Sequence, residues 1–174
     1  MKKIIAVLAV MGVASMLVVG FTRQSRPRIG TYDSRAIAIA YGNSSEAREF
    51  IVGLQSEMAK ARAAGNDALA REIEQKAKAH QILGHLQAFS IGSVAEILEK
   101  HKSEVEQIAK EARVEAMVST YELAYLGGGI ETVDLTAPLT RIFKPNGQVM
   151  RWIEEVPQHK PLPMLDVLQI PAEH

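Results

Sequence analysis

No cysteine occurs among the 174 residues, which excludes disulfides, thiolate metal sites, a lipid-modified N-terminal cysteine and a cysteine nucleophile. Aromatic side chains are scarce as well, at 5% of the chain with one tryptophan. With so few rings to stack on bases, and with 20 basic residues balanced by 20 acidic ones, the chain has neither the platform nor the basic footprint that nucleic-acid binding requires. Proline is absent from Asp67 to Ala116, so nothing there forbids a continuous helix. What remains is 47% hydrophobic and 23% charged, rich in Ala, Glu, Lys, Arg and Gln through the middle, which is the composition of one folded domain of long helices around a slender core.

Lys2 and Lys3 precede an uncharged run from Ile4 to Phe21, a positive region followed by an apolar one, as in a secretory signal. Residues 1–21 are therefore expected to direct export, either as a cleaved signal peptide or as a retained N-terminal membrane anchor. The run reaches the lower length limit for a spanning helix, and neither Gly12-Val13-Ala14 nor Val18-Val19-Gly20 is the preferred cleavage triplet. Arg23, Arg26 and Arg28 follow it directly, and positive charge there resists translocation. Loss of the leader removes Lys2 and Lys3 and leaves a formal net charge of about −2.

The stretch Ile29 to Tyr41, IGTYDSRAIAIAY, reads as a short strand running into a helix start. Asn43, Ser44 and Ser45 offer caps for a helix whose stripe is Phe50, Leu54, Met58 and Ala61. Gly65-Asn66 supplies left-handed conformations that end it, and Asp67 can cap the next, so a helical hairpin is expected. From Val94 the spacing becomes heptad-like through Leu98, His101, Val105, Ile108 and Ala112, a seam for a partner helix. The phase slips near Ser90-Ile91-Gly92-Ser93, which predicts a kink or break. Ala116 to Tyr121 is β-branched and aromatic enough to be the return strand, and Thr136 as cap with Pro138 in the first turn predicts a short helix through Phe143. The fold class is thus mostly α with a small β element: strand, long helical hairpin with its second helix kinked near 90–93, return strand, short helix and tail. The tail, 144–174, contains Pro145, Pro157, Pro161, Pro163 and Pro171 around Trp152, which favours an extended path docked by its apolar residues.

Catalytic and metal chemistry find little purchase. His80 and His85 are five apart and share no helix face, and no third ligand stands at a recognised spacing. His101 sits on the seam, where protonation would bring charge into packing, and is read as a boundary histidine with its ring tip in water. Gly127-Gly128-Gly129 lacks the G-K-[ST] ending of a phosphate cradle and is read as a loose turn. Asp33 and Ser34 have no histidine nearby, and a capping role for Ser34 is expected instead. No catalytic, cofactor-binding or metal-binding residue is assigned, and the chain is expected not to be an enzyme.

Two quoted segments carry a resemblance. IGTYDSRAI is similar to the strand-to-helix opening of the Skp/OmpH-like periplasmic chaperones, and VEQIAKEARVEAMVSTYELAYLGGGIETVDLTAPLTRIF resembles their closing pattern of helix end, strand, glycine turn, V-D-[IL]-T and short helix. The match spans about residues 29–143. It implies a homotrimer whose strands join in a small barrel, with helical-hairpin arms around a cavity that holds unfolded outer-membrane proteins in the periplasm or cell envelope, using no cofactor. The alternative is a membrane-anchored helical scaffold protein of the cell envelope, a compact three-helix bundle divided at Ser90 to Ser93.

Overall fold

The computed structural model describes residues 26–170, so the leader expected over residues 1–21, whether cleaved or retained, lies outside the described residues. The chain is mostly helical with one small sheet. Among the described residues no helix is long and apolar enough to cross a membrane.

The opening strand, β1 (Arg28–Tyr32), is the middle of three parallel strands, with β2 (Ala116–Ser119) on one side and β3 (Glu131–Asp134) on the other. Its pairing with the return strand sets Ile29 opposite Ala116 and Tyr32 opposite Ser119. The third strand, which sets Gly30 opposite Val133, is not evident in the sequence because four residues are too few to establish an alternation. Residues alternate between the two faces of a sheet. Tyr32, Met117 and Val133 accordingly join the main core, whereas Ile29, Thr31 and Val118 on the other face do not. At Gly30 the packing is tight: a Cβ would run into the Leu135 side chain and come 2.8 Å from Met117.

Helix α1 (Ser34–Gly42) lays Ala36, Ile37 and Ala40 into this core and ends at Asn43, where α2 (Ser45–Ala63) begins. Ser44 caps α2, its Oγ accepting the Ala47 N–H at 3.2 Å. At the far end Gly65 takes φ +68°, and it is Asn66 rather than Asp67 that caps α3 (Asp67–Phe89), accepting from the Leu69 N–H. The predicted stripe then forms a thin core of its own between α2 and α3, with Leu54, Ala61, Ala70 and Ile73 buried and Phe50 and Met58 beside them.

The break predicted near Ser90 to Ser93 is present, and its cause is a close backbone approach. The chain turns so sharply after Phe89 that the Gly92 N–H donates back to the Leu86 carbonyl, and a Cβ on Gly92 would lie 2.8 Å from the backbone of Leu86 and Gln87. Helices α4 (Ala95–Lys100) and α5 (Lys102–Ala112) follow, interrupted at His101. Their seam residues Leu98, Val105, Ile108 and Ala112 pack against the main core built on β1 and α1, so the heptad face serves the body of its own chain. This return differs from the compact three-helix alternative: α2 packs along α3, while the polar contacts of α2 with the α4–α5 arm are made at its base by Glu46 with Lys100 and His101.

Beyond β3, α6 (Thr136–Arg141) buries Leu139 and Thr140. Thr136 is not its cap: the Asp134 carboxylate accepts the Thr136 N–H, and the Thr136 hydroxyl accepts the Asp33 N–H at 3.0 Å. The tail expected to be extended is largely helical. It folds as α7 (Gly147–Glu155), a single 3-10 turn (Val156–Gln158), a short extended link and α8 (Met164–Val167). Among the described residues Pro145 precedes the Asn146 cap, Pro157 stands at the start of the 3-10 turn, Pro161 lies in the extended link and Pro163 precedes α8. They punctuate helices without interrupting them. Val149 and Ile153 reach the main core, so the expected docking is made by a helix face.

Two alanine substitutions separate local propensity from close approach. Gly92→Ala should lower stability by about 1–3 kcal/mol, because backbone must move to admit the methyl group. Gly53→Ala, where nothing lies within 4 Å of the new Cβ, should raise it by about 0.5–1 kcal/mol as a helix-interior glycine is removed. Urea unfolding midpoints followed by circular dichroism measure both.

Candidate functional site

The helical stripes of α2 and α3 are too broad for the thin hairpin core to cover, and the surplus apolar residues line a groove. Its central part, about 530 Å³, is walled by Ile39 and Tyr41 of α1, Ile51 of α2, Leu83 and Phe89 of α3 and Trp152 of α7. Ile51 is 38% exposed, Leu83 44%, Phe89 45% and Trp152 45%. Contiguous exposed apolar surface of this kind marks binding sites for other polypeptides or apolar ligands. Toward the hairpin tip the groove shares Ile51 and His80 with a cavity of about 570 Å³ between α2 and α3. Toward the tail it shares Ile39, Phe89 and Trp152 with one of about 370 Å³ beside the 3-10 turn. Through these shared wall residues the three lie end to end as a divided channel, with Trp152 lining both of the cavities nearest the tail.

The tail end of the channel is closed by a polar latch centred on Arg35, which is only 4% exposed. Its Nε and Nη2 donate to the two carboxylate oxygens of Asp33 at 3.2 and 2.8 Å. Nη1 donates to the His159 carbonyl at 2.7 Å, and Nη2 also reaches the Val156 carbonyl and the Tyr121 hydroxyl. Tyr121 completes the circuit by donating to Asp33 at 3.0 Å. Burial by itself favours a neutral guanidine, but the hydrogen bonds and charge of Asp33 outweigh it, and Arg35 is held above its ordinary pKa. Burial and then the Asp33 charge raise the Tyr121 phenol above its own ordinary value. Asp33 also caps α1, accepting the Arg35 N–H at 2.9 Å, so the cap expected from Ser34 falls one residue earlier; the Ser34 hydroxyl is buried without a partner.

The histidines are dispersed along this architecture. His80 stacks on Phe50 with ring centroids 4.6 Å apart, and burial followed by the Lys100 charge lowers its pKa. His85 lies against Phe89. His101 keeps its boundary position, with its side chain 20% exposed, Nε2 3.1 Å from Glu46 and its ring edge-on to Phe143. Among the described residues no group of three His, Asp or Glu side chains comes together to hold a metal ion. Gly127 to Gly129 lie in the connection between β2 and β3, whose turn closes with the Ile130 N–H on the Gly127 carbonyl. Sequence reasoning missed Arg35 and Tyr121; the only local sign was an arginine two residues after an aspartate at a helix start. No family model matches the sequence, and neither a curated protein nor a solved structure matches it.

Arg35→Met leaves the Asp33 carboxylate beside an apolar side chain and should cost about 3–5 kcal/mol, whereas Tyr121→Phe, which removes one hydroxyl, should cost about 1 kcal/mol. Chemical denaturation of the two variants distinguishes a charge-centred latch from a merely packed one. His80, with its folded pKa below the ordinary value of about 6.5, favours folding above that pH and loses the contribution as pH falls through the folded pKa. Between pH 7 and 5 the wild-type unfolding midpoint should therefore fall further than that of His80→Gln.

Proposed function

We propose that the chain is a non-enzymatic holding chaperone or assembly factor for outer-membrane proteins, acting in the periplasm or cell envelope. It binds unfolded clients along the channel, where apolar walls shield apolar client segments from aggregation and no chemistry is done. The observation that carries this reading is the row of cavities running from the α2–α3 hairpin past α1 to the tail, with a mainly apolar central part. The mainly aliphatic and aromatic walls of that central part suit a binder of many sequences.

A homotrimer fits the same reading. Among the described residues the outer edges of β2 and β3 have no strand partner, and unpaired edges are templates for pairing with another copy. The similarity of the opening and closing segments to Skp/OmpH-like chaperones favours the same assembly.

Diluting a denatured β-barrel membrane protein into buffer with the full-length chain tests the proposal through light scattering by aggregates. A several-fold excess should suppress aggregation, and the double variant Ile51→Gln, Leu83→Gln should lose most of that suppression while its unfolding midpoint stays within about 0.5 kcal/mol of wild type, as befits exposed positions. Unchanged aggregation at that excess would remove the chaperone reading. Light scattering of the protein alone should give three times the chain mass, and a monomer would remove the trimer.

A further inference from the structure

The body holds the tail in an unusual manner. Among the described residues every hydrogen bond between the body and residues 146–170 uses the tail's main chain: Arg35 donates to the carbonyls of Val156 and His159, Ser90 Oγ donates to the Leu162 carbonyl at 2.7 Å, and the Leu162 N–H donates to the Phe89 carbonyl at 2.8 Å. Among the described residues no tail side chain forms a hydrogen bond or ion pair with the body. The side-chain part of the contact is apolar: Val149 and Ile153 lie in the main core, and Val156 and Val167 are buried as well. Met164, Leu165 and Leu168 of the same segment stay at least half exposed. The tail leaves the body through Lys144, at φ +50°, and Pro145, before a fresh helix cap at Asn146.

Donors and acceptors that read only main chain, joined to apolar sockets, do not depend on the sequence they hold. Main-chain hydrogen bonds supply affinity in such recognition and side-chain pockets add selectivity. We propose that the segment from Asn146 to Ile170 is a displaceable strap: a built-in occupant of a polypeptide-binding face, which an unfolded client with comparably spaced apolar residues replaces. The proposal rests on the chaperone reading and adds to it both the seat of the client and its regulation. With the strap closed, Ser90 is buried against Leu162, Ile39 and Phe89 are only partly covered, and the channel is divided at Trp152. With the strap released, the channel is continuous and the donors of Arg35 and Ser90 face the client. If about 1% of molecules are open, the apparent affinity for client is about 100-fold weaker than that of the open form, and loosening the latch recovers part of that factor.

Trp152 is the only tryptophan and lies in the strap, so its emission reports strap position in the unlabelled full-length chain. The probe is a tryptophan-free, urea-unfolded β-barrel membrane polypeptide carrying a fluorophore for anisotropy, with amide hydrogen exchange as a second measurement. On binding, Trp152 emission should shift to the red and the amides of Val149 to Val156 and Leu162 should lose protection at least tenfold, while those of Ile37 to Tyr41 keep theirs. Val167→Ala, which weakens the strap's own apolar contact and leaves the body's donors intact, should bind the polypeptide several-fold more tightly. Binding with Trp152 emission and strap protection both unchanged overturns the strap and leaves the chaperone reading standing. If neither wild type nor Val167→Ala binds, the chaperone reading fails and exchange in the free chain decides the strap. Strap amides opening at least tenfold faster than α1 amides support it, and the two exchanging together overturn it.

Discussion

One buried guanidinium joins the three parts of this molecule that are furthest apart in the chain. Arg35 stands at the start of α1, directly after β1; Asp33 fixes its plane through two oxygens, Tyr121 ties it to the end of β2, and the carbonyls of Val156 and His159 bring the tail across. Removing such a charge from water costs several kcal/mol, and only a nearly complete set of acceptors offsets it. A lysine could satisfy neither the fork geometry of the carboxylate nor the carbonyls beyond it. The same charge that closes the sheet's C-terminal end therefore also sets where the tail runs.

Around that point the chain divides its apolar surface unevenly. The main core gathers β1, α1, α6, α7 and the α4–α5 arm, while the hairpin keeps only a narrow core of mostly small residues. Alanines at 61, 70 and 77 let α2 and α3 approach but leave the larger Ile51 and Leu83 without cover. The apolar channel is the geometric remainder of this arrangement. Its walls belong to regular helices with backbone bonds satisfied internally, so it stays open without exposing unpaired main chain.

Local signals were strong enough to show most of the elements. Ser44 before Glu46, the Phe50 to Ala61 stripe, Gly65 at its left-handed turn and the phase slip before Gly92 each act within a turn or two of backbone, and each appears where the sequence placed it. Errors of detail came where two residues competed for one role. Asn66 took the cap from Asp67 and Asp33 took it from Ser34, since the preceding residue in each case already had the extended geometry or reach to accept the helix N–H. The tail was misjudged because prolines were counted and not placed: at helix starts they favour helix, and in helix interiors they break it.

The sequence by itself determined the opening and return strands, the hairpin and its turn, the break after Phe89 and the scarcity of rings and of charge asymmetry. These are consequences of dihedral preference, capping and hydrophobic period, all short-range. Only the tertiary structure decided that β3 joins the sheet beside β1, that the seam of α4 and α5 packs on the body, and that Arg35 meets Tyr121 and His159 across separations of 86 and 124 residues. Contacts at that range depend on where the whole chain brings two backbones together. No local pattern encodes that position.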